Sequence, residues 1–217
     1  YQSDLSKMFQ SVSRYHDVMD QSGVVNQIDS GTMVCRFRDR VMFPIVDHNG
    51  RTLGFGGRKL NEESKMAKYI NSDENRLFSK RRLLFGLYRA KHAIKKAGYA
   101  ILMEGFMDVI TAHQFGFAQS IGCMGTSFTI EQAQLLSRYT DTVYLAMDDD
   151  YAGKESVKRA YDILKAQAYK VMVIRFEAGD PADFLVAHGT DAFQQKIQSA
   201  RSIVETLIQD IMDENVT

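Results

Sequence analysis

Acidic residues stand at three points in the second half of the chain, each after an apolar run. Glu104 directly follows the run at 100–103. The aspartates at 148–150 follow a run at 142–147, and Asp180 follows a third run after a short loop. Like-charged carboxylates about 4 Å apart repel each other by roughly 4 kcal/mol at an effective dielectric near 20, so a cluster of them requires divalent cations or protonation. Because all the ligands are oxygen atoms, the residues indicate chemistry based on Mg²⁺ or Mn²⁺.

The elements around these acids predict how they come together. Beyond Gly98, short apolar runs alternate with helical patterns, which predicts a parallel α/β sheet with crossover helices. The predicted strands are 100–103, 120–123, 142–147 and 170–176, and the predicted helices between them are 107–114, 130–138 and 153–167. In such a sheet, loops that follow the carboxyl ends of the strands gather at one edge. We therefore expect Glu104, Asp148 and Asp180 to share that edge.

Each acid taken singly has a simpler explanation. Asp148 and Asp150 could cap the following helix, Glu104 could be a first-turn acid that favours a helix dipole, and Asp108 could be a solvated helical residue. A calcium loop of the EF-hand type is excluded, because Arg159 occupies its twelfth position. The single-residue explanations do not account for acids beyond three separate strand ends.

The first half of the chain has a different pattern. Apolar runs at 41–46 and 52–55, separated by the turn-forming segment 47–50, predict a β-hairpin or small antiparallel sheet. The segment 61–80 is polar and irregular, with several basic side chains. Helical spacing of apolar residues predicts helices at 4–22 and 82–97, and a late helix at 191–212.

Composition narrows the class of protein. The 217 residues, 45% of them hydrophobic, allow one or two domains. Basic and acidic residues both number 27, so net charge does not identify a partner. Cys35 and Cys123 lack metal-ligand spacing, which predicts reduced thiols and no zinc site. The sequence contains neither a membrane-spanning run nor a signal-peptide layout, so we expect a soluble, cytoplasmic protein without a membrane partner.

Several ordered motifs resemble a known family. A Glu in the turn after a first strand and an Asp-x-Asp after a later one are marks of the TOPRIM fold, which bacterial primases, topoisomerases and some nucleases share. The chain resembles the catalytic core of bacterial DNA primases in five stretches: 36–45 (RFRDRVMFPI), 54–58 (GFGGR), 68–72 (KYINS), 104–108 (EGFMD) and 180–181 (DP). The resemblance extends from about residue 23 to about residue 207.

The resemblance implies the function and its residues. It implies an enzyme that synthesises short RNA primers on single-stranded DNA from ribonucleoside triphosphates by nucleotidyl transfer. The implied catalytic residues are Glu104, Asp148 and Asp150. The implied ligands of Mg²⁺ or Mn²⁺ are Glu104, Asp108, Asp148, Asp150 and Asp180. The residues that match positions lining the template and nucleotide groove are Arg58, Lys68, Asn71 and Lys80.

Domain organisation and partners follow from the same resemblance. It implies a truncated mixed α+β subdomain at 1–97, a TOPRIM domain at 98–185 and the start of a helical subdomain at 186–217. Family members carry an N-terminal zinc-binding domain and a C-terminal helicase-binding domain, and neither is recognisable in this sequence. The implied partners of the full-length protein are the replicative helicase and the single-stranded-DNA-binding protein.

Two positions depart from the family pattern. Asp149 stands where the family often has Gly, which adds a charge beside the metal ligands. Ala182 stands where an Asp often follows Asp-Pro, so one acidic ligand is missing, and the neighbouring Asp183 is a candidate substitute.

Other functions remain open at the level of sequence. A different TOPRIM enzyme, either a nuclease or a topoisomerase, would use the same acids, although none of the ten tyrosines has a context that marks a nucleophile. A non-catalytic nucleic-acid-binding or nucleotide-binding module is the second alternative. The glycines of 54–58 fit neither a P-loop nor a dinucleotide fingerprint, and we expect them to permit a tight sheet edge and close approach by nucleic acid. The basic run 80–82 could follow phosphates or form a charged helix face.

Overall fold

A computed structural model describes residues 23–27, 33–176, 179–206 and 208. The described residues form two compact units. One contains those up to 46 together with 51–79, and the other contains 47–50 together with those from 80 onward. The helix predicted at 4–22 lies outside the described residues. Within the described part of the chain, no helix is long and apolar enough to cross a membrane.

The first unit contains two small antiparallel sheets. Strands β1 (Val25–Gln27) and β2 (Met33–Cys35) pair with each other, and β3 (Arg40–Val46), β4 (Thr52–Lys59) and β5 (Tyr69–Asn71) form a sheet in that order. The predicted hairpin is confirmed as β3 and β4. The irregular structure predicted for 61–80 is wrong at β5, because three residues are too short to show the alternation that marks a strand.

The glycines of β4 make room for aromatic rings. A Cβ atom at Gly54 would lie 2.7 Å from the ring of Phe78, and one at Gly57 would lie 2.7 Å from the ring of Phe37. β4 is the central strand of its sheet. The expected tight sheet edge is therefore wrong, since these glycines permit close packing inside the unit.

The second unit is built on a five-stranded sheet with the order β10, β9, β8, β6, β7. Its strands are β6 (Ala100–Met103), β7 (Ser120–Gly122), β8 (Thr142–Leu145), β9 (Lys170–Val173) and β10 (Arg201–Ser202). The first four are parallel to one another, and β10 is antiparallel to β9. The predicted parallel α/β sheet is confirmed.

Helices connect these strands and cover both faces of the sheet. They are α1 (Leu87–Ala97), α2 (Phe106–Gln114), α3 (Ile130–Leu136), α4 (Tyr151–Ala166) and α5 (Pro181–Gln198). A short 3₁₀ turn precedes α1 at Lys80–Arg82. The helix predicted at 82–97 is wrong at its start, because Gly86 has a left-handed φ of 82° and the helix begins after it. It ends at Gly98, as predicted, where φ is 78°.

The late helix differs from its prediction at 191–212. α5 begins ten residues earlier, because Asp180 caps it and Pro181 occupies its first position. Gly189, with φ 78° and ψ −176°, is not helical and interrupts the apolar period that a sequence pattern relies on. β10 then interrupts the helical structure, which resumes at 203–206.

Side chains of the interior strand β6 alternate between two cores. Ala100 and Leu102 join one cluster with residues of α1, α3 and α4, whereas Ile101 and Met103 join a second cluster with Val109 of α2 and residues of α5. All four strand residues have no exposed surface. Burial on both faces explains the continuous apolar run, and it fixes the strand ends that carry the acids.

Candidate active site

Carboxylates meet at the carboxyl edge of the parallel sheet. Glu104 follows β6 directly, Asp148 follows β8, and Asp180 precedes α5 beyond β9. Because β6, β8 and β9 are parallel neighbours, their carboxyl ends lie side by side. The charges of Glu104 and Asp180 both act on Asp148, which means that the three acids are close enough to interact. The expected shared edge is therefore present.

Two of the acids are helix caps. Oδ1 of Asp150 accepts a hydrogen bond from the backbone N–H of Gly153 at 2.7 Å, at the start of α4. Oδ1 of Asp180 accepts one from the N–H of Asp183 at 2.7 Å, at the start of α5. The sequence did not predict a cap at Asp180, whereas the capping explanation is correct for Asp150. It does not compete with a site, because the caps also hold these carboxylates at the sheet edge.

Asp108 fixes the turn that presents Glu104. It is buried, with 6% of its surface exposed, and its Oδ2 accepts a hydrogen bond from the N–H of Gly105 at 2.9 Å. Gly105 directly follows Glu104 and precedes α2. The alternative of a solvated helical residue is therefore wrong for Asp108, since its side chain is turned inward and hydrogen-bonded.

Glu104 and Asp148 each have an oxygen atom without a partner. Oε1 of Glu104 and Oδ1 of Asp148 are buried and make no hydrogen bond to any described residue. Buried polar atoms are almost always satisfied in folded proteins, and each exception requires an explanation. Two such oxygens within one acidic cluster fit a cation as the missing partner.

Burial and mutual repulsion change the protonation of this cluster. Burial, followed by the charges of the other acids, raises the pKa of Asp148 to about 7. The contributing charges, in decreasing order, are those of Asp108, Glu104, Asp180 and Asp150. Burial also raises the pKa of Glu104 and of Asp108. Protonation near neutral pH is one way to relieve such repulsion, and a bound cation is the other.

A divalent cation fits the cluster in ligand type and in charge. The donors are carboxylate oxygens, which hard cations prefer, and several negative charges require compensation. Among the described residues, no three His, Cys, Asp or Glu side chains are already arranged as an ion site.

Two small residues of α4, Gly153 and Ser156, contact the acidic cluster, and the sequence did not predict their roles. A Cβ atom at Gly153 would overlap the backbone carbonyl oxygen of Asp148, so only glycine fits there. Hydrogen bonding by Ser156 opposes the rise in the pKa of Glu104. The signal was available, since Asp150, Gly153 and Ser156 are spaced by three and lie on one face of the helix.

At the two positions that depart from the family pattern, the main chain makes local contacts. The N–H of Asp149 donates to the carbonyl oxygen of Gly179 at 3.1 Å and ties together the loops that follow β8 and β9. Backbone hydrogen bonding by Ala182 lowers the pKa of Asp108 against the larger effect of burial. The segment at Ala182 therefore stabilises a neighbouring carboxylate through its main chain.

Arg58 and Lys68 of the first unit lie over one aromatic ring. The guanidinium carbon of Arg58 is 5.9 Å from the ring centre of Tyr69, and Nζ of Lys68 is 6.0 Å from it. Arg58 also pairs with Glu62 at 3.0 Å, and this hydrogen bond raises the pKa of Arg58. The two cations form a positive pair around Tyr69 that an exposed acid partly neutralises.

Asn71 lies in β5 of the same unit, opposite Gly56 of β4. Its carbonyl oxygen accepts a hydrogen bond from Nε of Arg36 at 3.0 Å, and Nη1 of Arg36 contacts Asp73 at 2.8 Å. Arg36 is a basic residue that the predicted groove did not include.

Lys80 belongs to the second unit, in the 3₁₀ turn that we call the basic turn (Lys80–Arg82). Lys80 is half-buried, whereas Arg81 and Arg82 are exposed. The predicted helix face is therefore wrong for these residues, which precede α1 and are separated from it by Gly86.

Comparisons with known families match both halves of the chain. The family model described as DNA primase catalytic core, N-terminal domain, matches residues 1–91. A second model, described as Toprim-like, matches residues 101–185 and so covers all five acids. DNA primase from Aquifex aeolicus is 40% identical over 174 residues, which cover 80% of this chain and 35% of that protein. The chain spans about a third of the length of the curated relatives that it matches.

Solved structures agree with the sequence matches. The E. coli primase catalytic core is similar with a TM-score of 0.84 and 32% identity, over 96% of this chain and 67% of that one. A DnaG primase catalytic domain bound to ssDNA has a TM-score of 0.84 and 31% identity, over 96% of this chain and 66% of that one. Since the same family is matched along nearly the whole chain in sequence and in structure, this chain belongs to the bacterial-type DNA primases, as a DnaG-like catalytic core with a Toprim domain.

Proposed function

We propose that this chain synthesises RNA primers on single-stranded DNA by divalent-metal-dependent nucleotidyl transfer. The observation that carries the proposal is the pair of buried, unpartnered carboxylate oxygens on Glu104 and Asp148, within a primase core. The relative solved with ssDNA supports the template class. Ribonucleoside triphosphates are the proposed substrates.

The metal ligands are proposed among the five acids at the sheet edge. Asp148, Asp150 and Asp180 would hold the ions, and Glu104 would complete their coordination or assist proton transfer. Mg²⁺ is the proposed ion, and Mn²⁺ suits the same oxygen donors. When bound, such ions lower the pKa of an attacking 3′-hydroxyl and neutralise charge on the leaving pyrophosphate.

The protein's own contribution is to fix the acids before substrate arrives. The caps at Asp150 and Asp180 use one carboxylate oxygen each, which sets the position of the group while other lone pairs remain. Asp108 holds the turn that follows Glu104 and acts as a positioning residue. Fixed carboxylates favour the geometry of the transition state, because little reorganisation is needed during reaction.

Template and nucleotide binding is proposed for the basic residues. Arg58 and Lys68, which lie over the ring of Tyr69, would contact phosphates of the template. Asn71 and Lys80 would contribute hydrogen bonds and charge to the same task. Contacts of this kind predict salt-dependent binding with little sequence preference.

The domain boundaries at 97 and 185 and the partners in the full-length protein are also proposals. The chain spans about a third of its curated relatives, so contacts with the replicative helicase and the single-stranded-DNA-binding protein would involve regions beyond it. A binding assay that compares the full-length protein with this chain tests that assignment.

A single reaction separates the proposal from the alternatives. The chain is incubated with single-stranded DNA, ribonucleoside triphosphates and Mg²⁺, with and without an annealed RNA primer. We expect new RNA and intact DNA. Cleaved DNA would indicate a nuclease or topoisomerase, and binding without either product would indicate a non-catalytic module.

A further inference from the structure

The basic turn is held through its backbone by the start of α3. Nε2 of Gln132 donates hydrogen bonds to the carbonyl oxygens of Lys80 at 2.9 Å and Leu83 at 2.8 Å. The hydroxyl of Thr129 donates to the carbonyl oxygen of Arg81 at 2.7 Å. Two side chains about 50 residues away in sequence thus bind three carbonyl groups in and beside the turn.

The same two side chains also hold each other. The N–H of Gln132 donates to Oγ1 of Thr129 at 3.2 Å, and the N–H of Thr129 donates to Oε1 of Gln132 at 3.0 Å. This reciprocal pair is a capping box that starts α3. We call Thr129 and Gln132 the clamp. Because Gln132 has no exposed surface, its amide is shielded from water and depends on these partners.

The clamp contacts the main chain of the turn and not its charged ends, and Arg81 also lies 3.9 Å from Glu131 of α3. Its hydrogen bonds reach main-chain carbonyls, whereas the side chains of Arg81 and Arg82 are exposed and that of Lys80 is half-buried. Helix stability alone requires only the capping box. The additional bonds to the carbonyls of Lys80, Arg81 and Leu83 restrict the backbone from which the cations project. A restricted backbone reduces the ordering cost when a ligand binds.

We propose that Thr129 and Gln132 are positioning residues, which hold the basic turn in the geometry that binds phosphate groups of the template or the incoming nucleotide. The inference rests on the proposed function, since it takes Lys80 to be a phosphate-binding residue. The clamp acts through the turn and does not contact the ligand. Its loss should therefore weaken phosphate binding more than it slows the chemical step.

The first test replaces Gln132 with Met, which has a similar length but no donor. We expect single-stranded DNA to bind roughly 3- to 10-fold more weakly, with a salt slope reduced by up to about one. The incoming nucleotide is the other possible source of the bound phosphate, and KM for the nucleoside triphosphates reports its binding. We expect kcat to change less than KM. All measurements are made well below the unfolding temperature of each variant. Unchanged DNA affinity and unchanged KM in the folded Q132M variant would overturn the inference.

Threonine variants separate the effect of the clamp on DNA binding from a general loss of stability. Thr129→Val removes the hydroxyl and should reproduce the binding defect, whereas Thr129→Ser keeps it and should restore binding to near the wild-type level. Thr140→Val is the matched control, because the hydroxyl of Thr140 donates to the carbonyl oxygen of Gly98 at the same distance of 2.7 Å, before β8. We expect it to lower stability without affecting DNA binding. Equal binding defects in T129V and T140V would contradict the clamp.

A double-mutant cycle identifies the group through which the clamp acts. We expect Lys80→Met to weaken DNA binding and Gln132→Met to add little when both changes are combined. If Lys80→Met weakens binding but the two effects add fully, the clamp inference is wrong and the role of Lys80 in the proposed function stands. If Lys80→Met changes neither DNA affinity nor KM, the role of Lys80 in the proposed function fails, and the clamp inference fails with it.

Discussion

At the scale of single residues, the acids at the sheet edge divide into two groups. Asp108, Asp150 and Asp180 each accept a hydrogen bond from a backbone N–H, and this bond fixes their positions. Glu104 and Asp148 each retain a buried oxygen without a partner. The first group provides a rigid frame, and the second group has the strongest need for a cation. Stability and function therefore place opposite demands on Asp148.

Removal of the Asp148 charge should stabilise the protein without metal. Because the pKa of Asp148 is raised to about 7, the folded state binds a proton that the unfolded state releases above about pH 4. Its contribution to stability therefore falls as pH rises from about 4 to about 7. Solvent screens part of the repulsion around this half-buried carboxylate, so at pH 8 with a chelator we expect Asp148→Asn to gain roughly 1 kcal/mol, or about 2–4 °C in unfolding temperature. The gain should shrink towards pH 5, and a less stable Asn variant at pH 8 would contradict this account.

Metal ions should make the wild type more stable than the Asp148→Asn variant. A cation that binds only the folded state stabilises it, and the effect grows with ion concentration. We expect millimolar Mg²⁺ at pH 8 to raise the unfolding temperature of the wild type more than that of Asp148→Asn. Thermal unfolding over a Mg²⁺ series, with Ca²⁺ and K⁺ for comparison, measures the difference. Equal responses of the two proteins would exclude Asp148 as a ligand.

At the scale of elements, helix starts do much of the positioning. α4 and α5 begin with capping aspartates, and α2 begins at the turn that Asp108 holds. The sequence predicted the four parallel strands after Gly98 well, because buried parallel strands are continuous apolar runs between helical patterns. It did not predict β5, β10 or the start of α5. The short strands have no readable period, and Gly189 interrupts the period of the long helix.

The first turn of α4 has room only for glycine at position 153. A Cβ atom at Gly153 would overlap the carbonyl oxygen of Asp148, so Gly153→Ala should displace the loop that carries the acids. We expect a loss of about 1–3 kcal/mol in unfolding free energy and a loss of activity. Gly98→Ala is the control, because its added Cβ meets nothing within 4 Å and only φ is strained. It should cost about 1 kcal/mol and keep activity. Full activity in G153A would refute the close contact.

At the scale of the whole molecule, the chain is neutral in sum but not in its parts. The acids gather at one sheet edge of the second unit, and Arg58 and Lys68 of the first unit lie over Tyr69. The motif spacing predicted which residues belong to the acidic group and which to the basic group, because strand ends and family stretches are visible in sequence. The pairing of Arg58 with Glu62 and the contact of Gly153 with Asp148 were not visible, since both depend on side-chain and backbone approach in three dimensions.

The charge balance in the first unit predicts opposite effects for two neutralising substitutions. Lys68→Gln should weaken single-stranded DNA binding and reduce the salt slope by about one. Glu62→Gln removes the acid that pairs with Arg58 and should strengthen binding at low salt. Binding isotherms over a salt series measure both changes. If the two substitutions shift affinity in the same direction, this surface does not bind the phosphate backbone.

We propose that the acids at the sheet edge carry out nucleotidyl transfer and are not needed to hold the template. The most direct measurement is RNA synthesis on single-stranded DNA by the wild type and by Asp148→Asn, with an annealed RNA primer so that initiation does not limit the signal. DNA affinity is measured on the same samples. We predict that Asp148→Asn abolishes synthesis while its DNA affinity stays close to that of the wild type. Synthesis retained by the folded Asp148→Asn protein would contradict the account.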